Sequence, residues 1–279
     1  MGRWATRGLI ETLDPEHDWW RIYRLHAQQE FPWDVTRALE LALYRTYAVP
    51  SIGGLLDDTG EFRRRTQKRY DDTALLLGEV LENGPDSDRG RAALRVINRA
   101  HARYAIEDDD MRYVLATLLV VPARWVDRYG WRPMTATERR AGYLYHRELG
   151  RRMGVKEWPG SFEEVAAFLD AYEARRFGFS AGGARTATAT RDLFVSWFPR
   201  PLAPLARAGV VALLDPPLLA AFGYAPAPAW LRAGADLALR ARARVVRFLP
   251  PRRHPVRVRD AWTVRSYPDG YAVEDLGPG

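Results

Sequence analysis

From Val35 to Leu249 the chain is a succession of segments with helical periodicity, each closed by proline, glycine or an Asn-Gly pair, and this leaves no room for an extended sheet. Leu39, Ala42, Leu43 and Tyr47 share one face of Val35 to Ala48, which Pro50 ends. Asp71 and Asp72 are suited to cap a second helix, Thr73 to Glu82, stopped by Asn83-Gly84. Ser87 opens a third, whose apolar face carries Leu94, Ile97, Ala100, His101 and Tyr104. A fourth follows over Met111 to Tyr129, with Pro122 inside it. Thr135 with Glu138, and Ser161 with Glu164, have capping-box spacing before Arg139 to Met153 and Phe162 to Phe177. Thr188 to Phe198 and Trp230 to Leu249 complete the set, with Pro-rich turns between them. The expected fold is all-α, a single multi-helix domain over residues 1–255 with a tail, 256–279, packed on it. The alternation Val256-Val258 and Trp262-Val264 makes that tail the one place for a short strand pair.

A chain of 279 residues, 47% hydrophobic, can bury one large core. It has no cysteine, so disulfides, thiolate metal sites and cysteine nucleophiles are excluded. Any metal must be held by histidine, carboxylate or another oxygen or nitrogen donor. The N-terminal stretch turns acidic at Glu11, Asp14, Glu16 and Asp18 without the apolar core of a secretory signal. The longest apolar run, Tyr113 to Pro122, is about half of what a bilayer span requires, and a cytoplasmic protein is expected. The net charge of +7 is almost all arginine, Lys68 and Lys156 being the only lysines. Acidic and basic residues mostly alternate, the pattern of a solvated surface, and no nucleic-acid partner is expected. The exception is the cluster Arg240, Arg242, Arg244, Arg247, Arg252 and Arg253, which offers a peripheral contact with an anionic membrane.

Of five histidines, His17 and His254 lie in polar segments, and His26 and His146 fall on helices, where they could equally be ligands or satisfied core histidines. His101 points inward, and by position alone such a histidine is more often satisfied in the core than a ligand. A di-iron carboxylate site needs two Glu-x-x-His pairs. Asn98 and Tyr143 stand where those glutamates would be. No Gly-x-Ser-x-Gly elbow, phosphate loop or dinucleotide fingerprint is present.

Several blocks then carry a resemblance: Phe31-Pro32-Trp33-Asp34, Glu40 to Thr46, Thr59-Gly60-Glu61-Phe62, Arg69-Tyr70-Asp71-Asp72-Thr73 and Asn98-Arg99-Ala100-His101, continued by Gly130-Trp131-Arg132-Pro133 and Glu148 to Gly154. With these the chain resembles the rubber-oxygenase (latex-clearing protein)/MpaB-type oxygenases over most of its length. The resemblance implies a helical domain binding haem b, with His101 as iron ligand and Arg69 and Thr73, one helical turn apart, beside the haem. It also implies dioxygen activation and an apolar, isoprenoid- or lipid-like substrate. Asp72 stands where rubber-cleaving members carry a distal lysine, and joins Arg69 and Thr73 as a candidate catalytic residue. Arg65 and Tyr104 are candidate haem contacts with His101 and Arg69. A family glutamate acts as base, and Glu40, Glu61 and Glu79 all stay open for that role. Two other readings also stay open: a haem-binding protein without oxygenase turnover, and a haem-free peripheral membrane or interaction protein.

Overall fold

A computed structural model describes residues 2–277. Among these residues are fourteen α-helices and no strand. In chain order they are α1 (Ala5–Glu11), α2 (Pro15–Leu25), α3 (Pro32–Tyr47), α4 (Pro50–Asp58), α5 (Glu61–Arg64), α6 (Thr66–Asn83), α7 (Asp88–His101), α8 (Asp108–Tyr129), α9 (Ala136–Arg152), α10 (Phe162–Arg176), α11 (Ala181–Ser196), α12 (Ala203–Ala212), α13 (Pro216–Phe222) and α14 (Ala229–Phe248). A π-helical turn, His26–Glu30, joins α2 to α3. The short helices α12 and α13 start at or beside prolines expected to be turns, and α4 starts at Pro50, expected to end the helix before it, because proline's fixed φ and missing N–H suit a first helical turn.

The expected helices are present, with altered ends. Asp71 and Asp72 do not cap a helix; α6 starts at Thr66 and both aspartates lie buried inside it. They are tolerated there because Gln67 and Lys68, one turn earlier, donate to them, and because the tail supplies further donors. Backbone N–H groups of Arg265 and Ser266 donate to Asp71 Oδ2, and the Tyr267 hydroxyl donates to Asp72 Oδ1. These contacts also displace the expected strand pair: the tail forms 3-10 turns at Val258–Asp260 and Val273–Asp275, its polar backbone finding side-chain acceptors on α6. Thr135 and Glu138 form a complete capping box. At α10 only half of one forms, since Glu164 accepts from Gly160 N at 2.8 Å and not from Ser161.

The main packings set α2 on α9, α3 on α8, α4 on α11 and α6 on α7. The α4–α11 crossing is made by glycines. A Cβ on Gly183 would lie 2.3 Å from Tyr47 O, and one on Gly53 would lie 2.7 Å from Gly183 Cα. Backbone, unlike a flexible side chain, has no rotamer with which to retreat. Gly183→Ala is expected to lower the stability read by urea unfolding by about 1–3 kcal/mol; an unchanged midpoint would mean that α4 and α11 are free to separate. The crossing holds α11, with Thr190 and Leu193, against α3 and α6, where the candidate site lies.

Candidate active site

Helices α6 and α7 pack side by side, joined by a turn at Gly84 to Ser87, so the start of α6 lies beside the end of α7. This brings Arg69 near enough to His101 for its charge to act on the ring. The Arg69 guanidinium donates to Thr73 Oγ1, and Thr73 donates in turn to Arg69 O at 3.0 Å. The same guanidinium lies 5.8 Å from the Phe62 ring centre. His101 is the last residue of α7, and its Nδ1 is buried without a hydrogen-bond partner. Burial, and then the positive charge of Arg69, lower its pKa below the ordinary 6.5, so the ring is neutral at pH 7. A neutral imidazole with an unused, buried nitrogen is the form in which histidine binds a metal.

Arg69 and Thr73 also line a small cavity closed by Leu43 and Tyr47 from α3, Phe62 from α5 and Thr190 from α11. Its volume is about 10 Å³, room for about one water. The donor set at His101 thus fits an iron held by one histidine, whereas this enclosed space is far too small for a porphyrin. Beyond His101 the chain is exposed from Ala102 to Ala105.

The other sequence candidates are placed elsewhere. Asp72 is buried, but its two oxygens are taken by Lys68 (2.8 Å) and Tyr267, under the tail and off the Arg69–Thr73 pair. Arg65 is held by Glu61 in a two-pronged pair, with 2.7 Å for the shorter contact. Tyr104 lies past the end of α7 and is exposed, because the helix stops at His101 and the periodicity that faced it inward stops with it. His26 and His146 are core side chains: His26 Nδ1 meets Glu138 Oε1 at 3.1 Å, and His146 Nδ1 donates to Gly142 O at 2.8 Å, burial pushing its pKa down to about 4.

Among the three glutamates, Glu61 is neutralised by Arg65 and Glu79 by Arg89, and both are held below the ordinary carboxylate range. Glu40 differs. It accepts from the Tyr70 hydroxyl at 2.8 Å and forms an ion pair with Arg37 at 2.7 Å, yet burial outweighs both partners and pushes its carboxyl up to about 7. Tyr70 lines the same cavity as Arg69, so Glu40 reaches that cavity through one hydroxyl. The sequence carried a usable signal: Glu40 shares the 40, 44, 47 row of α3 with two buried tyrosines, an unusual place for an acid.

Comparison with known proteins places these residues in context. Residues 23–248 match the family model described as the ER-bound oxygenase mpaB/B'/rubber oxygenase catalytic domain. The ER-bound oxygenase mpaB' of Penicillium brevicompactum is 31% identical over 251 residues, covering 83% of this chain and 59% of that protein. The ER-bound oxygenase mpaB of Penicillium roqueforti is 37% identical over 141 residues, covering 48% of this chain and 47% of that protein. The mpaB of Penicillium brevicompactum is 34% identical over 172 residues, or 55% and 44% of the two chains. The chain spans about half the length of the curated relatives it matches. The matched region holds Glu40, Arg69, Thr73 and His101, and leaves out the tail that covers Asp71 and Asp72.

Proposed function

The chain belongs to the mpaB/rubber oxygenase catalytic-domain family, and on that premise we propose that it is a haem b-dependent oxygenase acting on an apolar, isoprenoid- or lipid-like substrate with dioxygen. The observation that supports this best is the buried, unpartnered Nδ1 of a neutral His101 within the field of Arg69, which is itself bonded to Thr73. His101 would be the iron ligand through that nitrogen, and the enclosed cavity beside Arg69 is too small to take the porphyrin. When bound, the haem supplies the activation of dioxygen.

The chain's own residues would do the rest. Arg69 holds a fixed positive charge at the site, and Thr73 keeps it oriented while presenting a hydroxyl. Leu43, Phe62 and Leu193 make the neighbouring wall apolar, which favours a hydrocarbon over a polar substrate. Glu40 would take a proton through the Tyr70 hydroxyl, since a carboxyl pushed up to about 7 can hold or release one near neutral pH. Asp72, neutralised by Lys68, would support the tail and take no part in chemistry.

The test is the absorption spectrum of the purified protein, supplied with haem, beside that of His101→Ala. The protein should show the Soret band of bound haem and the variant should lack it; absence from both, or presence in both, defeats the assignment. Arg69→Ala should keep the band and lower oxygen uptake about 100-fold, and loss of haem there would make Arg69 a structural residue. The narrowness of the enclosed cavity favours a second reading, a haem-binding protein without turnover. A full Soret band with no oxygen uptake on any terpenoid or fatty substrate would select it.

A further inference from the structure

Helix α14 presents an apolar stripe to solvent along its whole length. Trp230, Leu237, Ala241, Val245 and Phe248 fall within a band roughly 80° wide at 3.6 residues per turn. Trp230 is 72% exposed, Leu237 63%, Val245 59% and Phe248 86%, although the side chains of a core helix should be hidden. The opposite side of α14 is anchored: Leu239 packs near Trp125 and Tyr129, Val246 near Phe31 and Trp131, and Arg242 donates to Asp34 at 2.9 Å while lying 3.7 Å over Trp33. The exposed face is therefore held in place and not the result of a loose helix.

Charge lies along one edge of this stripe. Arg240, Arg244 and Arg247 follow each other at spacings of four and three residues. Arg240 is paired with Asp236 at 2.7 Å, whereas Arg244 and Arg247 have no carboxylate partner among the described residues. Arg247 stands 5.8 Å from the ring of Trp4, itself 42% exposed, and Leu205 on the adjacent α12 is 59% exposed. Tryptophan, leucine and phenylalanine flanked by unpaired arginines form the composition of a helix that lies in the headgroup layer of a bilayer. No single helix among the described residues is long and apolar enough to cross one.

We propose that the outer face of α14, with Trp4 and Leu205 at its margins, docks on an anionic lipid bilayer, its apolar stripe entering the interface and Arg244 and Arg247 meeting lipid phosphates. This inference does not depend on haem or on oxygenase activity. The partner is a membrane and not an acidic protein because a straight, convex line of large apolar side chains offers no groove to interdigitate with, whereas a bilayer interface accepts any such line.

The test is flotation of the full chain with vesicles of phosphatidylcholine alone or mixed with phosphatidylserine. The protein should float with the mixed vesicles and remain mostly free with the neutral ones. Arg244→Glu/Arg247→Glu should weaken the mixed-vesicle binding at least about tenfold. Leu237→Glu/Phe248→Glu should weaken it similarly, with thermal midpoints unchanged because all four side chains project into solvent. Equal binding by either variant, or no binding by the parent chain, overturns the proposal. A dimer that the Leu237→Glu/Phe248→Glu variant dissociates, without vesicle binding, also overturns it and assigns the stripe to a second copy.

Discussion

Arg132→Met should cost about 3–5 kcal/mol of stability, enough to unfold much of the protein at physiological temperature. Arg132 joins two buried carboxylates. It donates to Glu30 at 2.8 Å and to Glu138 at 2.6 and 2.8 Å, and its guanidinium lies 4.9 Å over Phe31. Glu138 and Glu30 are 0% and 1% exposed, so removal of the cation leaves two charges that water cannot reach. Glu138 has further duties, accepting from the Thr135 backbone and from His26, which ties α9 to the π-helical turn. Burial by itself would raise the Glu138 pKa, but the bonds from Arg132 and His26 hold it well below its ordinary 4.5. Its stabilising contribution is thus present above about pH 4.5 and lost as the pH falls towards the depressed value. In the variant that support is missing, and the deficit in thermal midpoint should be larger near neutrality than in mild acid. Arg132→Met with Glu30→Gln and Glu138→Gln should recover much of the loss. A single variant as stable as the parent would show that water or a rearranged Arg3 reaches the two carboxylates.

On the proposed haem-oxygenase function, Glu40→Gln should lower oxygen uptake by about 10²–10⁴-fold while leaving the spectrum of added haem unchanged. Amide replaces carboxyl with little change of shape, so the hydrogen bond with Tyr70 is retained and only proton acceptance is lost. For the parent protein, turnover should rise as the pH passes about 7, where Glu40 gives up its proton. Stability moves in the opposite sense. Burial raises the carboxyl from 4.5 to about 7, so the native state holds this proton more firmly than the unfolded chain. That contribution is complete below pH 4.5 and is lost as the pH rises through about 7. Removing the charge should therefore make Glu40→Gln more stable than the parent above neutrality, by roughly 2–3 kcal/mol. Thermal melts in mildly acidic and mildly alkaline buffer, with oxygen uptake across the same range, measure both effects. Full turnover in the variant with a flat pH profile would reduce Glu40 to a core acid paired with Arg37.

The two effects of Glu40 thus oppose each other. A carboxyl buried on α3 beside tyrosines weakens the fold at neutral pH, and Gln would serve packing equally well. A carboxyl at this place can hold a proton, which Gln cannot.

Local order was legible from the residues alone. The helices, their caps at Ser87 and Thr135, and the Arg69–Thr73 pair all follow from contacts between residues three or four apart, which periodicity exposes directly. The blocks that identified the family are likewise short and continuous. Tertiary structure alone decided the rest. Asp71 and Asp72 read as caps because nothing near them in sequence reveals that Arg265, Ser266 and Tyr267 return to satisfy them. Tyr104 read as inward because the pattern does not show that α7 stops three residues earlier. Three glutamates were equivalent until folding paired Glu61 with Arg65, gave Glu79 to Arg89 and left Glu40 buried against Tyr70. Arg132 was one arginine among many until two carboxylates closed on it. The physical reason is common to all of these: a helix is specified by neighbours along the chain, whereas a charge takes its role from solvent exclusion and from partners that only the packed chain brings within reach.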